Sequence, residues 1–480
     1  MSGQIRLGLS FDDVLLVPKR SSIESRRNVN TSTLITKNVR INLPMISLNM
    51  ASVTESKMAI AMAREGGIGI IHRFMPIEEQ AAEVRKVKRS TGRIIEDPVT
   101  LYEDTTLGDA IKIIESNNEI TGLLVVDKES KLVGILTQRD IIFEKNTNKL
   151  ISELMTKKEN LVSADPLISI EKAKRILKDS RIEKLPLVDK EGYVKGLITI
   201  KDIMHLEEYN NACRDKKGRL RVAAAIGVVE DYLERASALV REGVDVLVVD
   251  IAHGHSEMAI NAIKKLKKKV RVDILAGNIA SADGAKDLIK AGVDGIKVGV
   301  GNGTICTTRI VTGAGVPQFT AVSDAYNVAK KYKIPVINDG GIASSGNFCK
   351  ALSAGASAVM FGSVFAGTDE TPGPVVYKQG KQYKHYHGST AYMSNVIKQE
   401  RETKVAVKEF LRDVYVEGVE SMVPYKGPVK EVIHSFMKGL KSGMSYCNAK
   451  NLVELRNNAE FIRITDKGLR EGMPHDVEEV

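Results

Sequence analysis

Gly295-Ile-Lys-Val-Gly-Val-Gly-Asn-Gly-Thr-Ile-Cys-Thr-Thr-Arg309 is the most informative segment of this 480-residue chain. Its first four residues are typical of a short buried strand, and the glycines that follow let the backbone turn tightly and approach a ligand closely. Cys306 lies at the end of this turn, among hydroxyl side chains and beside Arg309. A cysteine becomes a nucleophile where its surroundings favour the thiolate. The stretch therefore predicts a loop that holds an anion or nucleotide beside a reactive sulfur; the alternative is an ordinary turn with a structural cysteine.

Further aliphatic segments of the same kind occur on both sides of this stretch, and several are followed by a helix-like pattern. Continuous aliphatic strands are buried on both faces, as in parallel sheets that are covered by helices. The sequence therefore predicts an α/β fold, a (β/α)8 TIM barrel, with its active site at the carboxyl ends of the strands. A doubly wound open sheet is the alternative that periodicity leaves open. The predicted strands are 44–47, 67–71, 244–250, 272–277, 293–298, 334–339 and 356–361, and the predicted helices are 231–241, 256–267, 280–290 and 324–332.

A second, shorter repeat interrupts the series of barrel strands. The segment Gly134-Ile-Leu-Thr-Gln-Arg-Asp140 recurs as Gly196-Leu-Ile-Thr-Ile-Lys-Asp202. Duplicated halves usually pack against each other and bury faces that neither could bury alone. The acidic residues at the two helix starts are suited to ribose hydroxyls, and a passive spacer is the alternative. The predicted domains are a barrel of 1–93 and 206–480 and an inserted module of 94–205, with halves of about 94–152 and 153–205.

The composition indicates an ordinary aliphatic α/β protein. Apolar residues make up 43% of the chain and aromatic residues 5%, and tryptophan is absent. The net charge is +10, but the lysines are spread over helical faces such as 263–269, so nucleic acid is not expected as a partner. The four cysteines follow no metal-ligand spacing, and neither a signal-like start nor a membrane-length apolar run is present. We therefore expect a cytoplasmic protein without a membrane partner.

Short motifs run in order along almost the whole chain, at 10–18, 50–55, 66–73, 250–255, 276–278, 299–309, 339–342, 362–363, 424–427, 443–447 and 468–477. Together they resemble the family of inosine-5′-monophosphate dehydrogenase (IMP dehydrogenase) and guanosine-5′-monophosphate reductase (GMP reductase). The duplicated module resembles the tandem CBS (Bateman) pair that this family inserts after its second barrel strand. The resemblance implies an oxidoreductase barrel that acts on a purine nucleotide, with adenine or guanine nucleotides as further ligands of the CBS pair.

The resemblance implies covalent chemistry at C2 of the purine ring. Cys306 would attack this carbon, and hydride would pass between the carbon and the nicotinamide of NAD. Thr308 and Glu417 would form a polar pair near C2 that assists water or ammonia. Arg401 is the candidate for activation of water.

The resemblance also implies the ligand contacts. Asp339 would accept hydrogen bonds from the two ribose hydroxyls. The other implied substrate-binding residues, several of them around the phosphate, are Thr304, Gly340, Gly341, Gly362, Ser363, Tyr386, Gly388 and Glu417. The implied contacts to NAD are Asp250, Asn278, Gly299 and Gly301. The carbonyl groups of Gly301, Gly303 and Cys306 resemble the potassium site of the family, since hard cations favour oxygen ligands.

Three functions are consistent with these residues. The first is IMP dehydrogenase, the NAD-dependent oxidation of IMP to XMP through a covalent cysteine adduct. The family hydrolyses this adduct with an Arg-Tyr pair on a mobile flap, here about 387–416, whereas in this chain Arg401 is followed by Glu402. GMP reductase, which deaminates GMP to IMP with NADPH, does not need that step and is the second function. A catalytically weak, nucleotide-sensing homologue is the third.

The resemblance finally implies an assembly. Barrels of this family form tetramers, and octamers form through the CBS pairs. The expected state is therefore a homotetramer or an octamer.

Overall fold

The computed structural model describes residues 5–90, 95, 98–115, 122–229, 231–388 and 418–474. The chain divides into two compact units. The larger unit comprises Met1–Ser90, Asn211–Asp215 and Leu220–Val480, and the smaller comprises Thr91–Asn210 and Lys216–Arg219. Within the described ranges, the helices lack the combination of length and apolar character that a membrane span requires.

The larger unit contains a closed barrel of eight parallel strands, all within the described residues. Each strand pairs with its neighbours in chain order, and the last strand pairs with the first. The barrel prediction is therefore confirmed, and the open-sheet alternative is wrong because the sheet has no free edge. The strands are β1 (Met45–Ser47), β2 (Ile68–Ile71), β3 (Ala223–Ile226), β4 (Val246–Asp250), β5 (Asp273–Ile279), β6 (Gly295–Val298), β7 (Val336–Asp339) and β8 (Ala358–Phe361).

A helix follows each barrel strand in the described part of the chain and covers the outside of the sheet. Serine side chains accept hydrogen bonds from backbone N–H groups at the starts of several helices, as Ser256, Ser281 and Ser344 do, and this satisfies donors that helix geometry leaves open. The helices are α1 (Ser56–Glu65), α2 (Ile77–Ser90), α3 (Tyr232–Arg241), α4 (Glu257–Lys269), α5 (Ala282–Ala291), α6 (Gln318–Ala329), α7 (Ser345–Ser353) and α8 (Val429–Tyr446).

The barrel interior is filled with aliphatic side chains from alternate strand positions. Strands β3, β4 and β8 contribute the residue pairs 223 and 225, 246 and 248, and 358 and 360 to one continuous cluster. The turn between the antiparallel strands Thr33–Leu34 and Arg40–Ile41 adds Ile35 and Val39 to the same cluster, and the second strand adds Ile41. Because the interior is packed in this way, a ligand site is expected only at the mouth formed by the carboxyl ends of the strands.

Further elements of the larger unit surround the barrel. A three-stranded antiparallel sheet brings Tyr386 to the mouth of the barrel. Its strands are Val376–Lys378, Lys381–His387 and Glu420–Pro424. The remaining described strands are Val14–Leu16 and Phe461–Arg463, which pair with each other. The remaining described helices are Thr308–Thr312, Leu452–Asn458 and Asp466–Glu471. The described 3₁₀ turns of this unit are Phe11–Asp13, Arg26–Asn28 and Lys330–Tyr332.

The smaller unit carries the sequence repeat, and the two copies fold alike where they are described. Thr137 donates its N–H and hydroxyl to the Asp140 carboxylate, and Thr199 donates the same two groups to Asp202. Both carboxylates therefore serve helix capping, and a role in ribose binding stays a prediction. The described strands of this unit are Thr100–Tyr102, Gly122–Val126, Leu132–Thr137, Thr156–Lys157, Lys184–Val188 and Val194–Thr199. Its described helices are Leu107–Glu115, Gln138–Ile141, Ile170–Asp179 and Ile200–Glu208, and its 3₁₀ turns are Ile151–Glu153 and Lys158–Asn160.

Deletion of residues 94–205, with a short glycine–serine linker in their place, should leave the barrel folded. The reason is that the barrel and the smaller unit each contain a hydrophobic cluster of their own. Thermal unfolding and the rate of the catalysed reaction of the purified variant check this expectation. An aggregated or unfolded product would show that the insertion is needed for the barrel and that the proposed domain boundaries are wrong.

Candidate active site

A cavity of about 240 Å³ opens at the carboxyl ends of the barrel strands. This cavity is lined by every described residue that the sequence analysis assigned to the site. These residues are Asp250, Asn278, Gly299, Gly301, Gly303, Thr304, Cys306, Thr308, Asp339, Gly340, Gly341, Gly362, Ser363, Tyr386 and Gly388. The two other assigned residues, Arg401 and Glu417, lie outside the described residues.

Cys306 lies on the loop between β6 and the short helix Thr308–Thr312. Its N–H donates to the carbonyl of Gly303 at 3.1 Å, which closes a tight turn beneath the sulfur. The Sγ atom lies 3.1 Å from the Oγ1 atom of Thr308. Cys306 is half-buried and lines the cavity, whereas the other three cysteines are buried. Of the four thiols, this one is therefore accessible to a ligand in the cavity.

Arg309 closes the same loop from its outer side. Its Nε donates to the carbonyl of Val300 at 3.1 Å and its Nη2 to the carbonyl of Val316 at 2.5 Å. Gly301 has a φ of +71°, and a Cβ atom there would lie 2.4 Å from Cγ of Arg309. This position accepts only glycine without a shift of the loop.

Two amide side chains that the sequence analysis did not single out fix this loop to the next strand. Asn302 donates to the backbone carbonyl of Asp339 at 2.7 Å. Gln318, at the start of α6, donates to the carbonyl of Val298 and to Oδ1 of Asn338, both at 2.8 Å. The ends of β6 and β7 are thus held together below the cavity. Nothing in the local sequence distinguishes these amides from ordinary surface residues.

Lys297 is a third residue that the sequence analysis missed. It lies in β6 with 2% of its side chain exposed. Its Nζ is 2.5 Å from Oδ1 of Asp250, at the end of β4, and 2.7 Å from Oδ2 of Asp339, at the end of β7. Asn278 donates to the same Oδ2 atom at 2.8 Å. The signal that could have revealed this residue is a single charge inside an otherwise aliphatic strand.

The charges in this cluster stabilise one another. Burial by itself would lower the pKa of Lys297, but the negative charges of Asp250 and Asp339 outweigh burial, and the pKa of Lys297 is raised. Burial would likewise raise the pKa of Asp250, but the charge and hydrogen bond of Lys297 outweigh it, and that pKa is lowered. The ammonium and its carboxylate partner therefore both stay ionised at neutral pH.

The other end of the cavity carries hydroxyl groups. The Oγ1 atom of Thr304 and the Oγ atom of Ser363 are 3.0 Å apart. Burial raises the pKa of the Tyr386 phenol, which therefore keeps its proton and can donate a hydrogen bond. Lys426 donates from Nζ to the backbone carbonyl of Ser363 at 3.1 Å and to that of Val364 at 2.9 Å, which orders the turn after β8. Hydroxyl and backbone N–H donors of this kind suit a phosphate group.

The potassium prediction is compatible with the chemistry of the loop. The carbonyl groups of Gly301, Gly303 and Cys306 belong to one short loop, and carbonyl oxygens are ligands for hard cations. The Gly303 carbonyl already accepts a hydrogen bond from Cys306, which leaves one of its two lone pairs. Potassium at this loop stays a prediction. Across the described ranges, no cluster of three or more histidine, cysteine or acidic side chains could hold a metal ion.

Comparison with known proteins identifies the family of this chain. Residues 8–475 match the IMP dehydrogenase / GMP reductase domain family. The chain is 51% identical over 476 residues to inosine-5′-monophosphate dehydrogenase of Nitrosopumilus maritimus (strain SCM1), covering 99% of both chains. It is 45% identical over 479 residues to GMP reductase of Leishmania donovani, covering 98% of this chain and 97% of the relative.

A solved structure is also similar over the full length. A cysteine-to-alanine variant of GMP reductase from Trypanosoma brucei, in complex with guanosine 5′-monophosphate, superposes with a TM-score of 0.93 at 43% identity and covers 99% of each chain. The class of protein is a (β/α)8 barrel whose mouth brings the Cys306 loop and the carboxylates of Asp250 and Asp339 into one cavity. The chain belongs to the IMP dehydrogenase / GMP reductase family. It is therefore an oxidoreductase of purine nucleotide metabolism, which confirms the resemblance seen in the sequence.

Proposed function

We propose that the protein is an IMP dehydrogenase that catalyses IMP + NAD⁺ + H₂O → XMP + NADH + H⁺. The observation that carries the proposal is one cavity that is lined by the half-buried Cys306, by Asp339 and by the hydroxyl-bearing residues Thr304 and Ser363. These groups match the three parts of a purine nucleotide: the base, the ribose and the phosphate. The relatives named IMP dehydrogenase also reach higher identity than those named GMP reductase.

The residues of the cavity take separate roles in this proposal. The Cys306 sulfur forms a bond to C2 of IMP, and Thr308, 3.1 Å from that sulfur, is placed to hydrogen-bond a group at the same carbon. After a hydride has left C2, water replaces the sulfur there, which gives XMP and returns the thiol. Asp339 accepts hydrogen bonds from the ribose hydroxyls, while Thr304, Ser363 and Tyr386 donate to the phosphate. Arg401 and Glu417 keep their proposed roles in water activation.

NAD, when bound, supplies the acceptor for the hydride that leaves C2. The proposed contacts, Asp250 and Asn278, lie at the ends of β4 and β5 and offer a carboxylate and an amide. The described cavity of about 240 Å³ is smaller than the roughly 300–1,000 Å³ of typical small-molecule sites. A second ligand would therefore extend from these residues into the open mouth of the barrel.

GMP reductase is the second candidate, and a specific observation favours it. Arg401 is followed by Glu402 rather than by the tyrosine expected of a dehydrogenase, and a reductase has no need of a water-activating pair. In that reaction the Cys306 sulfur would displace ammonia from C2 of GMP, and a hydride, which NADPH would supply when bound, would then replace the sulfur and release IMP. The solved relative with the TM-score of 0.93 is itself named GMP reductase.

Absorbance of the reduced nicotinamide distinguishes the candidates. A rise with IMP and NAD⁺ is the expected result and supports the dehydrogenase. A fall with GMP and NADPH, without a rise in the first assay, would establish the reductase instead. If neither mixture changes while ATP or GTP alters the assembly of the protein, the nucleotide-sensing function is correct and both enzymatic proposals are wrong.

A further inference from the structure

The proposed reaction gives no role to Lys297, although this lysine is costly to bury. A buried ammonium is tolerated only where it is paired and hydrogen-bonded. A Cβ atom at Gly277 on β5 would lie 2.3 Å from the backbone oxygen and 2.7 Å from Cβ of Lys297, so the two strands approach closely there whatever side chain position 297 carries. An aliphatic residue would pack in β6 without the cost of burying a charge, whereas Lys297 is paired with two carboxylates that line the cavity. This arrangement points to a role other than packing.

The two carboxylates that flank Lys297 are not equivalent. Both oxygens of Asp250 are engaged, Oδ1 by Lys297 at 2.5 Å and Oδ2 by Asn49 at 2.7 Å. Asp339 accepts from Lys297 and Asn278 through Oδ2. Within the described part of the chain, its Oδ1 receives no hydrogen bond, and Asp339 lines the cavity. Lys297 therefore restrains the orientation of a carboxylate whose second oxygen is left for a ligand.

We propose that Lys297 is a positioning residue for ribose recognition. It fixes Asp339 by Oδ2 so that Oδ1 is presented to the ribose diol, and Asp250 is the counter-ion that holds the ammonium in place. The inference rests on the proposed function only in requiring a nucleotide with a ribose diol, which the dehydrogenase and the reductase share. Asn278 supports the same orientation because it also donates to the Gly299 carbonyl at 2.6 Å and is thereby fixed.

The test is discrimination between IMP and 2′-deoxy-IMP, measured as binding by calorimetry with the full-length protein. A hydrogen bond to a charged acceptor gives the wild type a preference for IMP of about 10- to 100-fold. Lys297→Met retains a side chain of similar length but removes the charge and the donor, so Asp339 loses its orientation. We expect the ratio of the affinity for IMP to the affinity for 2′-deoxy-IMP to fall close to one. The change should come from weaker binding of IMP rather than from tighter binding of the deoxynucleotide.

Lys350→Met is the matched control. Lys350 is a buried lysine of α7 whose Nζ donates to the carbonyls of Phe11 and Val14, and it does not line the cavity. Its replacement should lower thermal stability but leave the preference for IMP unchanged. If Lys297→Met does not fold, Lys297→Gln, which keeps a donor without the charge, takes its place, with an expected preference between those of Lys297→Met and the wild type.

The outcomes separate this inference from the proposed function. A wild type that prefers IMP, together with Lys297 variants that keep the full preference, would overturn the positioning role alone. A wild type that binds neither nucleotide would overturn the proposed function and the ribose assignment with it. Loss of the preference in the Lys350 variant would show that any buried lysine has this effect, which would also overturn the role of Lys297.

Discussion

Replacement of Cys306 by alanine should lower turnover by at least about a thousandfold, since removal of a catalytic nucleophile leaves only binding contributions to the rate. Nucleotide affinity should change little, because Asp339 and the hydroxyls of Thr304 and Ser363 remain in place. Thr308 cannot replace the sulfur, since a neutral hydroxyl is a weak nucleophile without a positioned base. Steady-state rates and calorimetric binding of IMP or GMP provide the two measurements.

Cys349→Ala is the matched control for this experiment. Cys349 is a buried thiol of α7 that does not line the cavity, and burial raises its pKa to about 12, so it is not a thiolate at neutral pH. Its replacement should leave turnover within a few-fold of the wild type, with a small loss of stability from the lost packing of one buried atom. Turnover that persists in Cys306→Ala would refute the covalent mechanism, whichever direction the reaction takes.

Replacement of Asp339 by asparagine should weaken nucleotide binding by about 1.5–3 kcal/mol, or roughly 10- to 100-fold, because a charged acceptor of hydrogen bonds is lost. The substitution also leaves Lys297 with Asp250 as its only carboxylate partner among the contacts described. The loss should therefore appear mainly in the KM for the nucleotide. Affinity for a 2′,3′-dideoxynucleotide should change far less, since that ligand lacks the hydroxyls.

Asp294→Asn tests whether the effect is specific to Asp339. Asp294 is a buried aspartate that is paired with Lys267 at 2.7 Å and does not line the cavity. Its substitution should reduce the free energy of unfolding while the KM for the nucleotide stays near the wild-type value. An Asp339→Asn protein with unchanged nucleotide affinity would show that the ribose is held by other groups.

Much of the barrel could be predicted from local sequence because burial on both faces restricts the strands to aliphatic and small residues. The start of helix α6 could not be predicted in this way. The pattern predicts a helix from 324, whereas the helix begins at Gln318. The first turn is buried despite a polar side chain, since Gln318 donates to Val298 and Asn338 on neighbouring strands. A local pattern assigns a polar residue such as Gln318 to a loop, because its hydrogen-bond partners are distant in the sequence.

Arg309 gives a second example, within the site itself. Its position close to Cys306 in the sequence suggested a cation that favours the thiolate. In the folded chain its hydrogen bonds go to the carbonyls of Val300 and Val316, and through them it holds the shape of the loop. Sequence proximity gives the neighbours of a residue, but the backbone geometry of the turn decides where a long side chain points.

The alternation of strands and helices, the family and the glycine-rich loop around Cys306 could all be predicted from the amino-acid sequence, because each depends on residues that are close together along the chain. Closure of the barrel and the charge cluster were decided by the tertiary structure. Lys297 lies 47 positions from Asp250 and 42 from Asp339, and only strand pairing around the barrel brings the three together. Electrostatic pairing of buried groups depends on distances in space, which no local pattern records.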